Sequence, residues 1–327
     1  MRLKKAGYQG IFLPELGIAM DGTHPDASYT FVTHAHADHM HRNRSAHTHA
    51  SGPTLQLMKH RGFSGSSEKL EFGEPLETER FRVTLYPAGH ILGSAMVYIE
   101  SDEGSLLYTG DYRTPASPAT EGFEAPPQAD YLITEATFGL PIYHWKSNEE
   151  LAREVRAFAQ ETLDEGYTPV FLAYNLGKAQ EIMHLCAALD HPIMIHGAGY
   201  KLCSVYEEAG IDLGPYTSYH RDSCEGNILV CPSSALSGGF ASNVRKKRIA
   251  YCSGWAALES RRTQLTVDKL IPISDHLDFY ELIDFCEELS PQKVYITHTP
   301  NPDVVKHFLD ERDIKSSFLN LEMESDD

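Results

Sequence analysis

The sequence has no long hydrophobic run. No apolar segment approaches the roughly 18 residues that a membrane-spanning helix requires. The opening residues, MRLKKAGYQGIFLPELG, lack the apolar stretch of a secretion signal. Both absences argue against a membrane protein and predict a cytoplasmic one. With 327 residues, 42% of them hydrophobic and 23% charged, the chain can form one large domain or two moderate ones.

Paired cysteines are also missing. The six cysteines form no CxxC motif and follow no regular spacing, which argues against a zinc knuckle and against a disulfide framework. We therefore expect free, buried thiols. The positions are Cys186, Cys203, Cys224, Cys231, Cys252 and Cys286.

Positive charge is scarce. Lysine and arginine number 28 against 46 aspartates and glutamates, so the formal net charge is -18. Such a chain repels a polyanion at long range, and a nucleic acid substrate would need a local basic groove or bound cations. A solvated surface is the alternative interpretation of each short basic cluster. These clusters are Arg42 with Arg44, Lys59 with Arg61, residues 244–248 (VRKKR), and Arg261 with Arg262.

Histidine, by contrast, is concentrated in the segment THAHADH, which follows a short apolar run that reads as a strand. His34 and His36 are two apart, so on an extended backbone both side chains leave from one face. Asp38 and His39 follow where the strand turns. Two ligands from the strand and two from the turn could serve two neighbouring metal ions, and their nitrogen and oxygen donors suit zinc and tolerate manganese or iron.

Further histidine and aspartate residues recur at strand ends downstream. His90 follows the strand RFRVTLYP and precedes Gly93, where a tight turn can bring it beside the first cluster. Asp111 ends the strand LLYTG, and a carboxylate there is suited to bridge two cations. Three other histidines have no such partners in the sequence and are interpreted as bystanders: His41, His47 and His49.

The pattern of apolar and polar residues changes at Ser147. Short apolar runs separated by glycine and proline predict strands before it. SNEELAREVRAFAQETLDEG then opens with a serine cap, has a glutamate three residues on, and stops at Gly166. Strands alternate with helix-like stretches after it, which is typical of a parallel sheet with crossover helices.

THAHADH, AGHILGSAMVYIE and YTGDYR resemble motifs two to four of the metallo-β-lactamase fold, and Asp21 in IAMDG resembles its motif-one aspartate. LITEATFG, ISDHLDF and VYITHT resemble motifs A, B and C of the β-CASP nucleases within that superfamily. TEATFGLPIYHW, the GKAQ segment, HGA and SGWAALESRR resemble, more narrowly, a short bacterial group described as DNA-ligase-associated exonucleases.

The resemblance implies an α/β fold: an αββα sandwich, interrupted by an inserted α/β β-CASP domain. Residues 1–145 and 251–327 would form the sandwich, and residues 146–250 the insert. It also implies two divalent metal ions, zinc or manganese. One ion would take His34, His36 and His90, the other Asp38, His39 and His298, and Asp111 would bridge them.

The resemblance further implies the roles of residues around the metals. Asp21 would orient a ligand rather than bind metal. His276, at the motif B position, would protonate the leaving oxygen, and Glu135 would orient it. Asp38 is counted among the catalytic residues as well as the ligands.

Residues outside the metal motifs could bind substrate phosphates. Gly177 and Lys178 open a helix after a strand, so backbone N–H groups would point outward with a cation alongside. Ser233 and Ser234 lie in a Ser/Gly-rich segment that could also be an ordinary turn. Arg261 completes this predicted set.

The favoured function is therefore a two-metal DNA exonuclease in DNA repair or end processing, in functional association with a DNA ligase and a helicase. The alternative is an RNA-processing β-CASP ribonuclease, because a histidine at motif C, here His298, is what RNA-acting members usually show. A third class, a noncatalytic nucleic-acid-binding module, would require degenerate metal positions, and every ligand position is filled here.

Overall fold

The computed structural model describes residues 2–7, 9–115 and 117–319. These residues form two compact units. The first unit takes the described residues of 1–116, 121–144 and 276–327, and the second takes residues 117–120 and 145–275.

Nineteen strands and eight α-helices make up the regular structure of the described residues. Up to residue 144 they are β1 (Lys4–Ala6), β2 (Gly10–Leu13), β3 (Ile18–Met20), β4 (Tyr29–Phe31), β5 (Thr48–Ser51), α1 (Gly52–His60), β6 (Ser67–Leu70), β7 (Leu76–Glu77), β8 (Phe81–Pro87), β9 (Ala95–Ser101), β10 (Gly104–Tyr108) and β11 (Tyr131–Glu135).

The second unit follows, and the chain then returns to the first. From residue 145 to 275 the elements are α2 (Asn148–Asp164), β12 (Thr168–Leu172), α3 (Lys178–Ala187), β13 (Ile193–Ile195), α4 (Gly197–Glu208), β14 (Tyr216–Ser218), β15 (Ile228–Cys231), α5 (Ser233–Ser237), β16 (Lys247–Cys252), α6 (Ser260–Leu265) and β17 (Lys269–Ile271). The last elements are α7 (Phe279–Leu289), β18 (Lys293–Thr297), α8 (Pro302–Asp310) and β19 (Ser316–Phe318).

The first unit has four layers. Its two sheets have the orders β1-β2-β3-β4-β5-β6 and β19-β18-β11-β10-β9-β8-β7. One buried core, including Phe31, Val97 and Ile133, joins side chains of both sheets. A second core, including Leu282 and Val294, packs α7 and α8 on the seven-stranded sheet, and α1 packs on β5 and β6. This is the αββα sandwich that the sequence predicted.

The second unit is built on a six-stranded sheet in the order β14-β13-β15-β12-β16-β17, in which neighbouring strands are parallel. The alternation of strands and helices predicted this arrangement. Helix α2 begins at the expected cap: Ser147 accepts the Glu150 N–H, and the Glu150 carboxylate accepts the Ser147 N–H.

The second unit runs to residue 275, beyond the boundary at residue 250 that the sequence predicts. It does so because β16 pairs with β12, and β17 pairs with β16 in turn. The assignment of residues 146–250 as an inserted domain between 1–145 and 251–327 stays a prediction.

All six cysteines are buried and free, which confirms the prediction made from their spacing. No helix among the described residues combines the length and the apolar character that a membrane crossing requires.

Candidate active site

The candidate site lies where strands of the first unit end. β10, β11 and β18 are parallel neighbours, and Asp111, Glu135 and His298 lie at or just beyond their carboxyl ends. The carboxyl ends of parallel strands meet at one edge of a sheet, so the topology brings these three residues together. β4, in the other sheet, leads into the segment THAHADH.

Four of the predicted ligands converge on one point, and we call them the ligand cluster. His34 Nε2 and His90 Nε2 lie 3.1 and 3.0 Å from His36 Nδ1. Asp111 Oδ2 lies 3.5 Å from His34 Nε2 and 3.7 Å from His90 Nε2. Donor atoms of all four lie within 4.8 Å of one another. Three imidazoles and a carboxylate are a donor set that fits zinc.

Asp21 is buried beside the ligand cluster and organises it by hydrogen bonds. Its Oδ1 accepts the Thr33 N–H at 2.7 Å, and its Oδ2 accepts the hydroxyls of Thr33 and Tyr108 and the Nδ1–H of His39. The Thr33 hydroxyl also contacts His34 Nδ1 at 3.0 Å. Because these contacts occupy the Nδ1 atoms of His34 and His39, their Nε2 atoms are left for a metal ion.

The second predicted ligand group is more open. His39 Nε2 lies 3.5 Å from Asp111 Oδ2, and the His39 ring centroid lies 5.5 Å from that of His298. His298 Nε2 contacts Gln9 Oε1 at 3.3 Å, and Asp38 is exposed. In the described part of the chain, Asp38, His39 and His298 do not form a close donor group of their own. The partition of ligands between two ions stays a prediction.

His276 and Glu135 form a close pair. His276 Nδ1 lies 2.6 Å from Glu135 Oε1, and the other Glu135 oxygen accepts the Thr137 N–H at 3.0 Å. The His276 ring packs near the His90 ring, with centroids 4.7 Å apart. Glu135 is buried, so its carboxylate is held in place and fixes the orientation of the imidazole.

Relatives of known sequence match long parts of the chain. A protein of Opitutus terrae named "Probable DNA ligase" is 35% identical over 294 residues, which are 88% of this chain and 28% of that protein. The RNase J-like protein of Methanocaldococcus jannaschii is 30% identical over 177 residues, 46% of this chain and 41% of that protein. Endoribonuclease YSH1 of Kluyveromyces lactis is 32% identical over 117 residues, 36% and 15% of the two chains.

These relatives are metallo-β-lactamase proteins of the β-CASP type. The chain belongs to the β-CASP family of the metallo-β-lactamase superfamily. It spans less than half the length of each of these curated relatives. No family model matches it.

A solved structure supports the fold of this β-CASP chain. The crystal structure of a protein of unknown function from Enterococcus faecalis matches with a TM-score of 0.58, over 90% of this chain and 80% of that one. The sequence identity is 12%, so the likeness concerns the fold alone.

Burial and neighbouring charges set the protonation of the candidate metal ligands. Burial, reinforced by the neighbouring imidazoles, holds the pKa of His34 well below its usual value. Burial opposes the charge of His39 as well, but Asp111 and Asp21 outweigh it and raise the pKa of His39 to about 10. Burial likewise opposes the charge of Asp111, but His39 and its neighbours hold its pKa below the usual range. A neutral His34 and an ionised Asp111 are the forms that bind metal.

The turn that presents His90 is fixed by contacts that the sequence did not indicate. The Gly93 N–H donates to both carboxylate oxygens of Glu121, at 3.0 and 2.9 Å. The Gly93 carbonyl accepts the hydroxyls of Ser51 and Thr54, at 2.6 and 2.8 Å. Gly93 has φ +80°, a conformation that favours glycine.

The structure does not present Lys178 as a phosphate ligand. Its side chain is 1% exposed, and its ammonium group pairs with Glu181 and lies 3.9 Å from Asp275. The Gly177 N–H donates to Gln180 Oε1, so it too is already used. A buried, paired ammonium group and an N–H that already donates a hydrogen bond do not fit the phosphate-binding site expected at this helix start.

The other predicted phosphate ligands lie elsewhere in the second unit. Ser233 and Ser234 are exposed and line a cavity of about 290 Å³ beside Asn175, at the carboxyl ends of β12, β15 and β16. Arg261 donates to Gln264 and lies over the Trp255 ring. Their role in substrate binding stays a prediction.

A cavity of about 230 Å³ in the first unit is lined by Arg42, Arg44 and Arg61, and we call it the arginine pocket. Ala37, between two predicted ligands, also lines it. In the described part of the chain, none of the three guanidinium groups has an ion pair. Three guanidinium groups in one pocket are suited to bind phosphate.

Proposed function

We propose that this chain is a two-metal DNA exonuclease that acts in DNA repair or end processing. The observation that carries the proposal is the convergence of the ligand cluster beside the His276–Glu135 pair. Relatives named as RNase and endoribonuclease support hydrolysis of nucleic acid. The relative named "Probable DNA ligase", matched along 88% of this chain, supports DNA and a functional association with a DNA ligase. We extend the proposed association to a helicase.

We propose that the site takes two divalent ions, zinc or manganese. The ligand cluster would hold one of them, and His39, with Asp38 and His298, the other. When bound, such ions supply a water of lowered pKa and neutralise phosphate charge. Asp21 contributes by holding His39 directly and His34 through Thr33, so that both imidazoles present Nε2.

His276 supplies the proton for the leaving oxygen. Glu135 accepts from Nδ1 at 2.6 Å, which leaves Nε2 as the nitrogen that donates. The negative charge of Glu135 also favours the imidazolium form that this step consumes. After the bond breaks, the neutral imidazole regains a proton from solvent.

The arginine pocket explains how an acidic chain receives a polyanion. The net charge of -18 repels DNA at long range, but Arg42, Arg44 and Arg61 concentrate positive charge beside the loop of Asp38 and His39. We propose that this pocket holds a phosphate away from the bond that is cut.

RNA is the second candidate substrate, and His298 favours it. A histidine at this position resembles motif C of RNA-acting members, and relatives named as RNase and endoribonuclease share this family. The two substrates differ by a 2′-hydroxyl, and the chemistry of the ligand cluster acts on the phosphate that they share.

A side-by-side cleavage assay tests the proposal. The purified chain, supplied with Zn²⁺ or Mn²⁺, should shorten end-labelled linear DNA, with single strands at least as good as duplex, and leave closed circular DNA intact. Matched linear RNA should be cut more slowly. Cleavage of RNA or of circles with linear DNA untouched would contradict the DNA exonuclease and support the ribonuclease.

A further inference from the structure

Two histidines and a glutamate meet on strands β5 and β6, outside the candidate active site. His49 on β5 lies directly opposite Glu68 on β6, and His47, two residues before His49, shares its face. His47 Nε2 and His49 Nε2 lie 3.4 and 3.6 Å from the same Glu68 oxygen. Donor atoms of all three lie within 4.8 Å of one another. We call them the edge cluster, because β6 is the edge strand of its sheet.

The hydrogen bond of His49 determines which of its nitrogens is free. His49 Nδ1 lies 3.3 Å from the carbonyl oxygen of Thr30. A carbonyl can only accept, so Nδ1 carries the hydrogen and Nε2 presents a lone pair. That lone pair lies toward the Glu68 carboxylate, which is also an acceptor. Two acceptors at this distance repel each other unless a cation lies between them.

Aromatic packing holds the His49 ring in this position. Its side chain is buried against the rings of Tyr29 and Phe31. With Nδ1 bonded to a carbonyl oxygen, the ring presents Nε2, as metal-binding histidines do.

His47 completes a set of three donors. Its Nδ1 contacts Ser66 Oγ at 2.7 Å, which leaves Nε2 toward Glu68. Tetrahedral zinc with bonds of about 2.0–2.1 Å separates its ligand atoms by about 3.3–3.4 Å. The observed separations of 3.4 and 3.6 Å are close to this value. In metal-binding histidines the ring nitrogen away from the metal typically makes a hydrogen bond. Here His49 Nδ1–H donates to the Thr30 carbonyl, and His47 Nδ1 bonds to the Ser66 hydroxyl.

We propose that His47, His49 and Glu68 bind a divalent cation of the zinc type, with water in the fourth position, and that the ion fastens edge strand β6 to β5. His47 and His49, interpreted from the sequence as bystanders, are brought together with Glu68 by the pairing of β5 with β6. His41 differs, because its Nε2 contacts Thr48 Oγ1 at 2.8 Å and it lies outside the cluster. The proposal does not rest on nuclease activity.

Metal content tests the proposal. The full-length chain and its variants should be dialysed to equilibrium against micromolar free Zn²⁺ and their bound zinc measured by elemental analysis. His47→Gln and Glu68→Gln should each bind about one equivalent less than the native chain, because each loses one of three protein ligands. His60→Gln removes an exposed imidazole outside the cluster and is the matched control.

Activity separates this site from the candidate active site. His47→Gln and Glu68→Gln should lose zinc and keep the cleavage rate of the native chain, whatever the substrate proves to be. Zinc contents equal to those of the native chain and of His60→Gln would overturn the proposal. Both side chains are largely exposed, at 44% and 55%, so their replacement should leave the chain folded.

Discussion

Two buried carboxylates orient the imidazoles of the candidate site. Asp21 holds His39 and, through Thr33, His34, while Glu135 holds His276. Asp21 and His298 also adopt left-handed backbone conformations, with φ +50° and +47°. Such conformations cost about 1–3 kcal/mol for residues other than glycine and concentrate at functional sites. Individual residues of the candidate site thus show both the hydrogen-bonded side chains and the backbone strain expected of an active site.

The first prediction separates the proton donor from a ligand. His276→Ala should keep the native metal content and substrate affinity, yet lose about 10²- to 10⁴-fold in turnover, the usual contribution of a general acid. Glu135→Gln should lose a smaller factor, because the imidazole stays while the charge that favours imidazolium is removed.

His298→Ala is the matched comparison, and it should lose metal. Elemental analysis and single-turnover rates of the two histidine variants decide the assignment. Metal loss in His276→Ala together with metal retention in His298→Ala would show that the two roles are exchanged.

Much of this residue-scale arrangement could be predicted from sequence. His34, His36, His90 and Asp111 stand at strand ends in a recognisable order, so their convergence was expected. The burial of Lys178 was not, because one of its carboxylate neighbours, Asp275, is distant in the chain and only the folded sheet brings them together.

At the scale of elements, the turn between β8 and β9 has a demanding geometry. It places His90 in the ligand cluster and is tied to α1 through Ser51 and Thr54. A Cβ atom on Gly93 would lie 2.6 Å from the Thr54 nitrogen. Close packing against a helix start, rather than local sequence, therefore fixes this ligand.

The second prediction concerns this turn. Gly93→Ala should destabilise the chain by about 1–2 kcal/mol through its positive φ and by about 1–3 kcal/mol more through the clash, and should weaken metal binding. Gly73→Ala is the control, because Gly73 has φ +74° and nothing within 4 Å of the added atom. Urea denaturation measures the free energy of unfolding, and elemental analysis measures the bound metal. Equal losses of both quantities in the two variants would contradict the role of the turn.

The third prediction concerns helix α3. Lys178→Met removes the ammonium group that pairs with the buried Glu181 carboxylate, so the free energy of unfolding should fall by about 3–5 kcal/mol. The double variant Lys178→Met/Glu181→Gln should regain part of this loss. If Lys178→Met instead keeps the native stability and raises KM, Lys178 is a substrate ligand, as the sequence predicts.

At the scale of the whole molecule, the sequence predicts some features of the topology and of the charge distribution and misses others. The αββα layers were implied by the resemblance to the metallo-β-lactamase motifs, and the parallel second sheet was predicted from the alternation of strands and helices. The end of the second unit was not predicted, because β17 joins its sheet by pairing with β16, and no local sequence pattern indicates that pairing. The arginine pocket likewise brings together Arg42, Arg44 and Arg61, which belong to two basic pairs that are separate in the sequence.

The fourth prediction tests whether the arginine pocket binds substrate phosphate despite the net negative charge of the chain. Arg42→Gln with Arg61→Gln should raise KM for single-stranded DNA more than it lowers kcat. The dependence of log KM on log salt should flatten by about 0.7 for each phosphate that the variant no longer neutralises. Arg82→Gln removes an exposed arginine on β8 and should leave both unchanged. Identical salt dependence in all variants would exclude the pocket from substrate binding.

The measurement that tests the two-metal site most directly is metal content and DNA cleavage in the same preparations of native chain and Asp111→Asn. A Glu68→Gln background removes the proposed edge ion, so that the active-site ions alone are counted. With Asp111 present, we predict about two equivalents of transition metal and metal-dependent shortening of linear DNA. Asp111→Asn should lose both together. Full cleavage without bound transition metal, or full cleavage by Asp111→Asn, would contradict the two-metal site.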